Sequence, residues 1–124
     1  MKKSLAYFMV ILFALGCKNK DKKVAQNDLP DCINKEIEAI QQKKDKNPPI
    51  AIREYEYNGK RVFFNEADCC DQFDEVIDMN CNIICSPSGG FEGGGDGKCA
   101  DFEKSAKMVK VIWERDHDDM GGKK

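Results

Sequence analysis

The stretch Ile50-Ala-Ile-Arg-Glu-Tyr-Glu-Tyr-Asn-Gly-Lys-Arg-Val-Phe-Phe-Asn65 decides the fold class. Asn58-Gly59 is a strong hairpin signal, because both central positions of a tight hairpin turn need positive φ, which Asn and Gly tolerate. A two-residue turn also sets the register. Tyr57 then faces Lys60, Glu56 faces Arg61 and Tyr55 faces Val62, with Glu56–Arg61 as a cross-strand ion pair worth less than about 1 kcal/mol.

On the N-terminal side of the hairpin, Asp28-Leu-Pro-Asp31 reads as a helix start, with Asp28 as cap and Pro30 in the first turn. Ile33, Ile37 and Ile40 recur at i, i+4 and i+7, the narrow apolar stripe of a helix of about 15 residues. That helix must end before Asn47-Pro48-Pro49. On the C-terminal side, residues 78–85 admit two readings. One is a single strand with Met79, Cys81, Ile83 and Cys85 facing inward. The other is a turn over residues 78–81 and a strand over residues 82–86, which the clustering of Asp and Asn favours. Residues 107–115 alternate, with Val109, Val111 and Trp113 on one face of a final strand, preceded by a short helical turn over residues 101–106. The sum is an α+β domain: an N-terminal helix packed on a small antiparallel sheet of about four strands.

The chain has 124 residues. Lys2 and Lys3 precede an unbroken apolar run from Leu5 to Leu15. That run is too short for the roughly 20 residues of a bilayer span and fits the hydrophobic region of a signal peptide, residues 1–16. Ala14-Leu-Gly-Cys17 resembles the lipobox of bacterial lipoproteins, in which cleavage precedes a cysteine that is then lipidated. It departs from that pattern in placing leucine one position late, with Ala14 in the usual leucine position. The resemblance implies a lipid on Cys17, and Lys18 in place of aspartate implies delivery to the outer membrane. Several acyl chains make a firm anchor, at about 0.8 kcal/mol per buried methylene. Residues 17–28, polar and mostly basic, read as a tether. Residues 29–116 form one domain, and residues 117–124 a disordered tail.

Six further cysteines, Cys32, Cys69, Cys70, Cys81, Cys85 and Cys99, in a small exported domain imply a disulfide framework. Adjacent Cys69 and Cys70 lie about 3.8 Å apart at Cα, below the usual bridging range. Cys81 and Cys85 would lie about 13 Å apart on one strand. Excluding both bonds leaves ten of the 15 possible connectivities, which remain open. The absence of a C-x-x-C pair and the position of His117, the single histidine, in the tail argue against a zinc site.

From Val62 to Gly97 there are eight carboxylates and no Lys or Arg, and residues 30–116 hold 18 acids against 12 bases. Such a surface excludes nucleic acid as a partner and permits a basic protein or a divalent cation. Asp78-x-Asn-x-Asn82 begins like an EF-hand loop, but Ile83 stands where glycine is needed and Gly89 where a bidentate glutamate is needed. Calcium on Asp96, Asp101 and loop carbonyls stays open as a weak metal site.

Six of the ten glycines fall within residues 89–97. A P-loop fails on spacing, with Glu92 and Cys99 at the key positions, and Glu92 and Asp96 would repel phosphate, so no nucleotide is expected. Cys85 and Cys99 flank the run and Pro87 stiffens it, so the loop reads as a braced excursion between strands. Phe91, between glycine pairs, is expected to fold back as a core plug; its alternative is a protruding binding residue beside Glu92 and Asp96. Catalysis finds no support: the cysteines are expected to be oxidised and the only histidine lies in the tail.

Cys-Cys-Asp-Gln (69–72), Asp-x-x-Cys-x-x-x-Cys-x-Pro-x-Gly-Gly (78–90), Gly-x-Gly-Asp-Gly-x-Cys-x-Asp-Phe (93–102) and Val-Ile-Trp (111–113) resemble an uncharacterised domain family of small lipoproteins common among Bacteroidota. The resemblance covers residues 29–116 and implies no chemistry. The expected function is that of a cell-envelope, membrane-anchored lipoprotein with no cofactor and a non-enzymatic binding or structural role. A proteinase-inhibitor-like scaffold and a calcium-dependent domain are the alternatives.

Overall fold

The computed structural model describes residues 28–69 and 71–116. The expected signal peptide, Cys17, most of the tether, Cys70 and the tail 117–124 lie outside the described residues. The order of elements is α1 (Asp31–Gln41), β1 (Ala51–Tyr57), β2 (Lys60–Glu66), β3 (Glu75–Ile77), β4 (Ile83–Cys85), α2 (Phe102–Ser105) and β5 (Lys107–Glu114). The five strands form one antiparallel sheet in the order β4-β3-β2-β1-β5. The fold is therefore α+β, with five strands rather than four. The short β3 lies within an acidic stretch too brief to show a period.

The hairpin forms in the register set by its turn, from Tyr57↔Lys60 to Ala51↔Glu66. Asn58 and Gly59 take φ values of 51° and 73°. The expected Glu56–Arg61 ion pair does not form. Arg61 instead forks onto Glu54, with Nε 2.6 Å from Oε1 and Nη2 3.1 Å from Oε2, and its Nη1 also reaches Asp28 Oδ1 at 3.1 Å. Glu54 is the diagonal neighbour of Arg61 on the same face and is 5% exposed, so its carboxylate needs a partner that solvated Glu56 does not. Lys110 supplies a second cation, 3.4 Å from Glu54 Oε2.

Each face of the sheet is covered by a different layer. On one face Leu29, Ile33 and Ile37 of the α1 region pack on Ile52, Phe63 and Ile77. On the other, Val62, Tyr57 and Val76 meet Cys85, Cys99 and Phe102, which belong to the chain running from β4 into α2. Burying each large apolar side chain contributes roughly 1.5–3 kcal/mol. The hairpin alternation thus places Ile52 and Phe63 under the helix and Tyr57 and Val62 under the glycine loop.

α1 is shorter than its isoleucine stripe implies. Pro30, not Asp28, occupies the N-cap, in an extended conformation with no side-chain cap, and the helix runs for 11 residues. Lys43 enters the left-handed region at φ 53°, which ends the helix before the prolines. The turn reading of residues 78–81 holds. Asp78 Oδ1 accepts from the backbone N–H groups of Asn80 and Asn82 at 2.8 and 2.9 Å. Cys81 takes φ 65° there, and β4 follows.

β5 departs from simple alternation. Its register against β1 shifts twice, between Ile52 and Arg53 and between Glu54 and Tyr55. An extra residue at each shift reverses which face the next side chain meets. Val109 and Val111, expected inward, are 55% and 40% exposed, whereas Ile112 and Trp113 pack against the helix-side cluster. β5 is an edge strand, and such irregularities with Lys107 and Lys110 on it hinder pairing with other chains.

Two bridges are described. Cys32–Cys81 joins the first turn of α1 to the β3–β4 turn, with Cα atoms 5.8 Å apart. Cys85–Cys99 closes the glycine loop, with Cα atoms 5.9 Å apart. Cys81 and Cys85 are not joined, as expected. None of the ten connectivities retained from the sequence contains both observed bridges, because the two together leave only adjacent Cys69 and Cys70 among the six. The two observed bridges therefore correct the retained set. Cys69 is itself disulfide-bonded.

Candidate functional site

The loop from Ser86 to Lys98 is built by backbone contacts that only glycine permits. Gly89 (φ 85°) lies so close to the segment before β3 that a Cβ would sit 2.2 Å from Gln72 O and 2.9 Å from Phe73 Cα. This approach lets Gly90 N–H donate to Gln72 O and Asp74 N–H to Ser88 O, both at 3.1 Å. Gly95 (φ 72°) is as crowded, since a Cβ there would lie 2.2 Å from Ser86 O. Next to it, Asp96 N–H donates to Ser86 O at 2.8 Å, and Gly95 N–H donates to Gly89 O at 3.0 Å. The loop folds onto itself and onto the strand beside it, closed at its base by Cys85–Cys99.

The tip is a single turn in which Gly93 N–H donates to Gly90 O at 3.0 Å, with Phe91 and Glu92 at its centre. Phe91 is 93% exposed, which overturns the expected core plug. The residue sits at the centre of the turn closed by the Gly93–Gly90 backbone hydrogen bond. Phe102, not Phe91, supplies the aromatic that fills the space beneath the loop.

Glu92 and Asp96 are exposed with Phe91, but they do not act together. Asp96 Oδ1 accepts Lys98 N–H at 3.0 Å, and that bond holds the Asp96 carboxyl below its ordinary range. Asp101 accepts the Tyr57 hydroxyl at 2.7 Å, which likewise lowers its pKa and ties the start of α2 to the end of β1. Among the described residues, no group of three or more His, Cys, Asp or Glu could hold a metal ion. The described cysteines are all in disulfides, and the described residues include no histidine.

Behind the loop lies a cleft of about 550 Å³, between the sheet and the segment 87–103. Its floor is aromatic. Phe64 stacks on Phe102 with centroids 5.5 Å apart, and Tyr55 leans on Phe102 at 5.2 Å. Arg53 stands at one side, bonded to Glu66 and 3.4 Å from Glu114. Asp74 stands at another, accepting Ala67 N–H at 2.8 Å and the Ser88 hydroxyl at 2.5 Å. No cleft was expected here from the sequence. The hairpin register held the signal, since Arg53, Tyr55, Phe64 and Glu66 all fall on the face opposite α1.

Residues 38–115 match a family described as a domain of unknown function, DUF6970. No curated protein and no solved structure matches the chain. The matched residues hold all five strands, the glycine loop and the cleft, and begin in the second half of α1. The chain therefore belongs to the DUF6970 family, a domain of unknown function.

Proposed function

We propose that this protein is a cell-envelope lipoprotein, anchored in the outer membrane through lipid on Cys17. Its domain is a non-enzymatic module that binds a protein partner through the tip of the glycine loop. The observation that carries the reading is Phe91, 93% exposed on a turn whose backbone is fixed on both sides. An aromatic held out of the core forgoes roughly 2–3 kcal/mol of burial, which a partner's pocket would recover. A pre-ordered turn also loses little conformational entropy on docking.

The anchor is tested by incorporation of labelled fatty acid, which Cys17→Ser abolishes; labelling that survives the change refutes it. The module is tested by photo-cross-linking from position 92 of the full-length protein in cells. Phe91→Ala should remove the cross-linked species, and an unchanged cross-link pattern refutes the tip as the contact. The Cys85–Cys99 bridge around an exposed aromatic favours one second reading, a proteinase-inhibitor-like loop. It requires stoichiometric inhibition of a serine proteinase that prefers aromatic residues, lost when the Phe91–Glu92 bond is cut.

A further inference from the structure

The cleft beneath the loop has its own chemistry, separate from the tip. Its one guanidinium, on Arg53, is already balanced, since it is bonded to Glu66 and reaches Glu114. Two more carboxylates line the same space, Asp74 from the segment before β3 and Glu103 from α2. Among the described residues, neither forms an ion pair. Asp74 is held in place by two neutral donors, Ala67 N–H and the Ser88 hydroxyl, which orient its charge without cancelling it. The cleft is thus left with net negative charge.

Between these carboxylates lie the rings of Tyr55 and Phe64, both half-buried, so each keeps some surface open to the cleft. Phe102 backs both rings and fixes their positions. Aromatic faces are electronegative at their centres and attract cations, most strongly where water is partly excluded. An anion would meet two uncompensated carboxylates, and a purely apolar ligand would leave them without a counter-charge. The volume of about 550 Å³ suits a side chain or a small amine.

We propose that this cleft binds a planar or compact organic cation, a guanidinium or alkylammonium group, set on the Tyr55 and Phe64 rings and paired with Asp74 and Glu103. The group could belong to an arginine or lysine of a protein partner or to a free amine; the recognition chemistry is the same.

The test is an NMR titration of the full-length protein in detergent with N-acetyl-arginine amide. N-acetyl-citrulline amide, the uncharged isostere, is the control. The arginine compound should shift the resonances of Tyr55, Phe64 and Glu103 in a saturable way, and the citrulline compound should not. Glu103→Gln, a change at an exposed position that leaves the fold intact, should weaken binding at least about threefold, and Glu103→Lys should abolish it. Comparing putrescine with an arginine-containing peptide tells a free amine from a protein side chain, and tighter binding of either supports the cleft's chemistry. The proposal is overturned if the arginine and citrulline compounds bind alike, or if Glu103→Lys leaves the affinity unchanged. It is equally overturned if no saturable shift appears by roughly 10 mM ligand, where a Kd of millimolar strength would show. Because Phe91 does not line this cleft, Phe91→Ala should leave the titration unchanged whatever becomes of the tip.

Discussion

Replacing glycines one at a time in the loop separates two reasons for having glycine. Gly89 and Gly93 share a left-handed backbone, at φ 85° and 76°, but their surroundings differ. An Ala Cβ at position 93 would meet nothing within 4 Å, whereas at position 89 it would fall 2.2 Å from Gln72 O. Gly93→Ala should therefore cost only the conformational penalty, about 1 kcal/mol. Gly89→Ala carries the same penalty and must also push the loop off the segment before β3. That breaks Gly90 N–H to Gln72 O and Asp74 N–H to Ser88 O, each worth about 1 kcal/mol net, so the total is about 3 kcal/mol. Gly94→Ala, with ordinary φ and open space, should stay within about 0.5 kcal/mol of the parent. Urea unfolding followed through the fluorescence of Trp113, the single tryptophan, gives all three values. Equal losses for Gly89→Ala and Gly93→Ala would show that backbone conformation alone explains the glycines and that the close contact contributes nothing.

Other outcomes test the remaining features. Replacing Cys85 and Cys99 together with alanine removes a bridge across a sequence separation of 14, and the chain-entropy argument gives a loss of about 3 kcal/mol. A denaturation midpoint unmoved by that change would mean the hydrogen bonds alone hold the loop. Glu54→Ala leaves Arg61 and Lys110 without their shared carboxylate and should cost roughly 2–3 kcal/mol, against less than about 0.5 for solvated Glu56→Ala. The reverse order would restore the pairing expected from the hairpin alone. Burial raises the pKa of Glu36, and burial with the nearby charge of Glu36 raises that of Glu75. Raised carboxyls bind more protons in the folded state, so their contribution is full below the unfolded value of about 4.3 and is lost as pH rises through the folded values. Glu75→Gln should therefore improve stability more at pH 7 than at pH 4, and an equal effect at both refutes the assignment.

The hairpin register was legible because turn chemistry fixes it locally: Asn58-Gly59 admits one tight turn, and every pairing follows. The Asp78 turn was legible for the same reason, since its side chain makes the bonds that define it. Features set by distant contacts were not. Arg61 pairs with buried Glu54 rather than exposed Glu56, and Asp28 and Lys110, both distant in sequence, join that pair, which no pairing rule within the hairpin contains. Val109 and Val111 turned outward because of register shifts between β5 and β1, which leave no mark on periodicity until the partner strand is known. Phe91 was misread because composition favours burying every aromatic in a small domain. It lies instead on a turn held by backbone hydrogen bonds among the glycines around it. The cleft needed the same knowledge, namely that the loop returns over the face opposite α1.

That return has a consequence for which parts of the loop can vary. Cys85 at the start of the loop, and Cys99 and Phe102 after it, pack on Val62 and Val76, so a shorter or unrelated connection between β4 and α2 would uncover those two valines. Residues 91–94 form the exposed tip, with open space around Gly93 and Gly94. Diversity among relatives should concentrate in those four positions, like the interchangeable bit of a fixed tool. A foreign tetrapeptide grafted there would be displayed in a set conformation without disturbing the handle.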